Sequence, residues 1–167
     1  LASSAASDVY KRQGKLTPAQ EKLLEMVMSN DFLQSIPASG IGEKVAQLAM
    51  TKVGCAYSQD RRYEEGYYDC SSLVLRCYAE YGVKLPEIAS IQGKYIVDNG
   101  LQVSENDLRP GDLIFYSYEN NGQFKNISHV AIYVGNGKQV DARGTDYGVV
   151  HRALVKSNIG LYGRPCP

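Results

Sequence analysis

Cys70 stands in the string Gly66-Tyr67-Tyr68-Asp69-Cys70-Ser71-Ser72-Leu73-Val74, where a polar loop gives way to a segment of helical periodicity. A helix N-terminus presents unpaired N–H groups and a partial positive charge. Both favour an anion, so a cysteine at this point is placed to act as a nucleophile. Such a nucleophile needs a base, and the base needs an orienting group. Of the two histidines, His129 opens the run Ser128-His129-Val130-Ala131-Ile132-Tyr133-Val134. Its alternation predicts a strand with Val130, Ile132 and Val134 on the core face and His129, Ala131 and Tyr133 on the other. The small Ala131 leaves room beside the imidazole. His151 alternates with Val150 and reads as a surface residue.

The hairpin that follows tests the third member, Asp141. A two-residue loop at Asn136-Gly137 would set Asp141 opposite Ile132, on the wrong side of the sheet. A three-residue loop at Gly135-Asn136-Gly137 would set it opposite Ala131, diagonal to His129 at about 7–8 Å between backbone positions, a gap that both side chains can bridge. A Cys-His-Asp triad therefore predicts the three-residue loop, with Gly137 at its left-handed position.

The elements around these residues run helices first and strands later. Thr17-Pro18 opens an amphipathic helix with Leu23, Leu24, Val27 and Met28 in register, followed by a linker at Pro37-Ala38-Ser39-Gly40. Further helices are expected over Gly42 to Val53, Cys70 to Tyr81 and Ser90 to Asp98, with a polar, Tyr-rich loop from Ala56 to Asp69. Arg61 and Arg62 in that loop read as solvated charges. Strands are expected over Leu113 to Tyr116, His129 to Val134, Gln139 to Arg143, Val149 to Val155 and Ile159 to Tyr162. Asp112, with Gly111, reads as part of a turn. The order predicts an α+β fold with helices packed on an antiparallel sheet.

The chain has 167 residues, 44% hydrophobic and 22% charged, enough for one domain with a full core. Its formal net charge is zero and no basic stripe is present, which argues against nucleic acid as a partner. No apolar stretch approaches the roughly 20 residues of a membrane span. The four cysteines, Cys55, Cys70, Cys77 and Cys166, match no zinc spacing, so no metal or other cofactor is expected. Cys77 shares a helix face with Val74 and Tyr78 and reads as a buried small hydrophobe. Residues 1–13, including Asp8-Val9-Tyr10-Lys11-Arg12-Gln13, read as a non-native leader, the in-frame translation of a transposon end used in sequencing-library preparation. Residues 14–40 are then the N-terminal helix and linker, and 41–167 the main domain.

From about Ile41 to Pro165 the chain resembles the NlpC family of papain-like cell-wall cysteine peptidases. The landmarks are Tyr57, Asp69-Cys70-Ser71, Leu85-Pro86, Pro110-Gly111-Asp112-Leu113-Ile114-Phe115, Ser128 to Tyr133, Gly135-Asn136-Gly137 and Gly163-Arg164-Pro165. The resemblance implies a papain-like core, Cys70 as nucleophile and His129 as base. The third polar residue, often histidine in that family, falls at Asp141. It also implies that Tyr57 sets its hydroxyl near the thiol and that Asp69 and Ser71 help bind the substrate's free amine. Ser72 stands where the family usually has glycine, and the chain has no tryptophan.

The implied reaction is hydrolysis of a γ-D-glutamyl-diamino acid bond in peptidoglycan stem peptides, by a monomer that is extracellular and associated with the cell wall. A signal peptide or further domains would then lie outside this sequence. Two alternatives stay open: an N-acetylmuramoyl-L-alanine amidase or other amidase using the same triad, and an inactive wall-binding module.

Overall fold

The computed structural model describes residues 40–166, and the helix expected from Thr17 lies outside them, as does the leader. Helix α1 spans Ile41–Thr51, α2 Cys70–Ala79 and α3 Ala89–Asp98. The strands are β1 (Ala56–Tyr57), β2 (Tyr67–Tyr68), β3 (Gln102–Val103), β4 (Leu113–Tyr116), β5 (His129–Gly135), β6 (Lys138–Gly144), β7 (Gly148–Ala153) and β8 (Ile159–Gly163). Six of them form one antiparallel sheet in the order β3-β8-β4-β5-β6-β7. The expected α+β architecture is therefore present, with helix ends shifted by a residue or two, as fraying termini allow. Three short strands were not expected. β1 and β2 form a two-residue parallel ladder that closes the Tyr-rich loop, and β3 pairs with β8.

Alternation on the sheet sorts the core. Val130 and Ile132 of β5 and Val140 and Ala142 of β6 join Val45, Ala49, Leu73, Val74, Cys77 and Ile96 from the helices in the main apolar cluster. Ile114, Tyr116 and Ala131 face the other way, into a smaller cluster with Tyr133, Leu154, Val155, Ile159 and Tyr162. Helix α2 packs on β5 and β6, so its N-terminus, with Cys70, is fixed relative to the strands that carry His129 and Asp141. Cys77 is buried as expected, and burial pushes its thiol up to about 12. All four cysteines are free thiols.

The turn before β4 is a buried junction rather than a simple bend. Asp112 is 1% exposed and receives both Nε and Nη2 of Arg164 at 2.8 Å, which ties the start of β4 to the end of β8. Tyr78 donates its hydroxyl to the Gly111 carbonyl at 2.6 Å, tying the same turn to α2. Gly111 has φ of 96° and lies against the backbone of Gly42 in α1, where a Cβ would overlap it. Both the conformation and the close approach require glycine. Gly111→Ala should destabilise the domain by about 2 kcal/mol or more, lowering Tm by roughly 5–10 °C in a thermal melt.

Candidate active site

Helix α2 begins at Cys70 because Asp69 caps it. The Asp69 carboxylate accepts the Ser72 N–H at 2.7 Å, and Ser72 Oγ accepts the Asp69 N–H at 2.9 Å, a reciprocal capping box. This gives Ser72 a role that glycine could not fill. Cys70 is the first helical residue, half-buried, between the buried Asp69 and Ser71.

His129 is the first residue of β5. Its Nε2–H donates to Asp141 Oδ2 at 2.7 Å. With Nε2 so engaged, Nδ1 is the ring nitrogen left for the Cys70 thiol, which the imidazole also contacts. The structure thus brings Cys70, His129 and Asp141 together, in that order. The rings of Tyr116 and Tyr118 stack on each other, with centroids 5.5 Å apart, and flank the imidazole at 5.8 and 6.2 Å.

The predicted three-residue hairpin loop is absent. Asn136 (φ 52°) and Gly137 (φ 67°) form a two-residue loop closed by Gly135 opposite Lys138. Left regular, this loop would set Asp141 opposite Ile132. Instead the register shifts between Tyr133 and Gly135, with Val134 as the extra residue, and Ile132 pairs with Val140. The next position sets Asp141 opposite Ala131. A β-bulge, not a longer loop, supplies the register that brings Asp141 to the face of His129.

Asp141 is fully buried and accepts four hydrogen bonds: from His129 Nε2, from Gln139 Nε2 at 3.1 Å, and from Arg152 Nε at 3.0 Å and Nη2 at 2.7 Å. Gln139 is itself held through Oε1, which accepts from the Tyr116 hydroxyl at 2.6 Å and the Val155 N–H at 3.0 Å. Sequence reasoning missed Arg152. A regular β6–β7 hairpin closed by Gly144 and Gly148 would set His151 opposite Asp141. A second register shift, between Ala142 and Gly144, sets Val150 there and brings Arg152 opposite Gln139, as the diagonal neighbour of Asp141. His151 is exposed, as expected.

These contacts fix the charges. Burial alone would lower the His129 pKa, but its hydrogen bond to Asp141 and its interaction with the neighbouring Cys70 outweigh burial and raise it from 6.5 to about 9. For Asp141, burial would raise the pKa, yet the bonds from His129 and Arg152 hold it down at about 2. At neutral pH the pair is imidazolium and carboxylate. The raised histidine contributes stability in full below pH 6.5, and this is lost as pH rises through about 9. The lowered aspartate contributes stability above pH 3.8, lost as pH falls towards 2.

The expected substrate contacts sit close by. Tyr57 has its hydroxyl pKa raised by burial first and then by the neighbouring Cys70 and Asp69, so it lies near both. The Gln59 side-chain amide donates to that hydroxyl at 3.4 Å. Arg61 is a solvated loop charge, 48% exposed and paired with Glu64. Arg62 corrects the expectation: its side chain is only 16% exposed, and its Nε lies 3.2 Å from Asp69 Oδ2, in an ion pair without hydrogen-bond alignment. Its Nη2 donates to Ser71 Oγ at 3.1 Å and to the Glu87 carbonyl at 2.6 Å. Arg76, in the last turn of α2, holds the same loop through the carbonyls of Arg62, Glu64 and Tyr67. Gln92 of α3 donates to the carbonyls of Ser71 and Pro86, bracing the first turn of α2 from the other side. Among the described residues, no group of three or more His, Cys, Asp or Glu side chains could hold a metal ion.

The packing around β6 can be tested from both sides. Arg152→Ala leaves the buried Asp141 carboxylate short of two charged bonds and should cost on the order of 2–3 kcal/mol, read by denaturant unfolding. Gly135 has φ of 94° at the bulge. Gly135→Val should disfavour the bulge and pull Asp141 away from His129, so that the imidazole pKa falls from about 9 towards 6.5 in an NMR titration. Deleting Val134 instead removes the bulge while keeping Ile132 opposite Val140, and should leave that titration near its native position.

Comparison with known proteins places the chain in a family. Residues 56–160 match the NlpC/P60 family. A "Probable endopeptidase" of Mycobacterium tuberculosis is 32% identical over 130 residues, covering 77% of this chain and 30% of that protein. The bifunctional muramidase/DL-endopeptidase of Bacillus subtilis is 31% identical over 124 residues, covering 73% of this chain and 36% of that protein. The chain thus spans about a third of the length of these curated relatives. Among solved structures, NlpC2 from Trichomonas vaginalis superposes with a TM-score of 0.69 at 25% identity, over 80% of this chain and 49% of that one. The match covers most of the domain, including the loop before Cys70, the helix it opens and the strands of His129 and Asp141: the chain belongs to the NlpC/P60 family.

Proposed function

We propose that the chain is a cysteine endopeptidase that hydrolyses the γ-D-glutamyl-diamino acid bond of peptidoglycan stem peptides. The observation that carries this reading is the His129 imidazole set beside Cys70 at the start of α2, with its Nε2 2.7 Å from Asp141 Oδ2. The muramidase/DL-endopeptidase name of the Bacillus relative and membership of the family support the substrate class.

In the proposed reaction the Cys70 sulfur attacks the amide carbonyl carbon, and the C=O electron pair moves to oxygen. The backbone N–H of Cys70, at the helix start, is a donor for that oxyanion. Collapse of the intermediate breaks the C–N bond as His129 delivers its Nδ1 proton to the leaving amine. This leaves a thioester and a neutral imidazole. The imidazole then takes a proton from water, whose oxygen attacks the thioester carbonyl carbon; the C–S bond breaks with its electron pair going to sulfur, releasing the carboxylic acid and restoring the Cys70 sulfur beside a protonated His129. Asp141 keeps the ring oriented and stabilises its cationic form. Tyr57, Asp69 and Ser71 line the place proposed to receive the stem peptide.

Mass spectrometry of digested muropeptides tests the reading. New γ-D-Glu termini support it, whereas freed lactyl-muramic acid would assign an amidase, and no lysis a wall-binding module. Cys70→Ala should lower kcat by at least about 10⁴-fold, and Asp141→Asn by about 10²-fold or more. Activity should persist through neutral pH and fall as His129 loses its proton at about pH 9. A pH–rate profile with its alkaline limb near pH 6.5 would contradict the assignment of His129 as proton donor.

A further inference from the structure

The loop between β1 and β2 delivers a cation to the two residues, Asp69 and Ser71, that the family resemblance assigns to a substrate ammonium. The Asp69 carboxylate is already engaged at both oxygens. Its Oδ1 accepts the Ser72 N–H at 2.7 Å and the Ser71 hydroxyl at 3.4 Å, and its Oδ2 faces Arg62 Nε at 3.2 Å. Ser71 Oγ accepts from Arg62 Nη2 as well. The guanidinium is not loosely placed. It donates to the Glu87 carbonyl at 2.6 Å, and the Arg62 carbonyl accepts from Arg76 Nη1 at 3.0 Å. The neighbouring carboxylates Glu64 and Glu65 pair with Arg61 and Arg76.

A substrate ammonium at this position would have to displace a bound guanidinium from a buried carboxylate, or sit beside it against like charge. Neither gives a net attraction for positive charge. An acylated nitrogen carries no charge and makes no such demand. We propose that Arg62 is a resident cation in the place of the substrate's amino-terminal ammonium. The chain therefore cleaves stem peptides whose alanine nitrogen is acylated, as it is while the peptide remains joined to its glycan, as readily as it cleaves free peptides. The proposal rests on the endopeptidase reading above. Asp69 and Ser71 then act through Arg62, which makes Arg62 the residue that sets this preference.

The test compares kcat/KM for L-Ala-γ-D-Glu-L-Lys and its meso-diaminopimelate counterpart, each with the alanine nitrogen free and acetylated. The native chain should cleave the two forms within threefold of one another. Arg62→Met, which removes the charge and leaves Asp69 unpaired, should favour the free amine by tenfold or more, while Arg62→Lys should stay near the native ratio. A native preference of tenfold or more for the free amine would overturn the proposal and leave the endopeptidase reading standing. So would a folded Arg62→Met with an unchanged ratio. If the native chain cleaves none of the four peptides, the endopeptidase reading fails and this proposal fails with it.

Discussion

A carboxylate with no access to water organises this domain. Asp141 is wholly buried and ionised, and a charge in that position is tolerated only when its oxygens are filled by donors. Side chains from three strands converge on it, and the consequences spread outwards. Arg152 must lie diagonal to it on β7, Gln139 must be held by Tyr116 and Val155, and His129 must keep its ring in one orientation against two tyrosines. The imidazole is oriented because the carboxylate has to be satisfied, so the proposed acid–base group and the stability of the sheet depend on the same bonds.

Much of this was legible in the sequence, and the losses have physical causes. The start of α2 could be read because Asp69 is a strong cap and the apolar spacing after Cys70 is helical. The strand at Leu113–Tyr116 was legible because an uninterrupted apolar run leaves few alternatives, and the faces of β5 followed from strict alternation. The bulges could not be read. An extra residue in a strand has no composition of its own, and Gly135 next to Asn136-Gly137 suits a longer loop as well as a bulge. The expected register was nevertheless the observed one, because the pairing of Asp141 with His129 constrained it more tightly than the turn did.

The two bulges show how one strand is aimed twice. On one side, the shift at Val134 turns Asp141 to the face of His129. On the other, the shift between Ala142 and Gly144 brings Arg152 towards that carboxylate and keeps His151 at the surface. A histidine in the place of Arg152 would have offered a second titrating group, whereas an arginine stays charged at every relevant pH. Arg62 was misread for a related reason. Arginine in a polar loop is ordinarily solvated, and only the tertiary arrangement of the loop, pinned by Arg76, shows that this one is largely enclosed.

The position of β8 has a consequence for the order in which the domain can be built. Although β8 follows the other strands in sequence, it lies inside the sheet, between β3 and β4, and Arg164 just beyond it closes on Asp112. During synthesis the hairpins that bring His129, Asp141 and Arg152 together can form among near neighbours as soon as they emerge, since their contacts are local. The other side of β4 stays unpaired until β8 has left the ribosome. The half of the sheet that carries His129, Asp141 and Arg152 can therefore zip up early, while the half that locks it to the Asp112 turn waits for a segment made some fifty residues later.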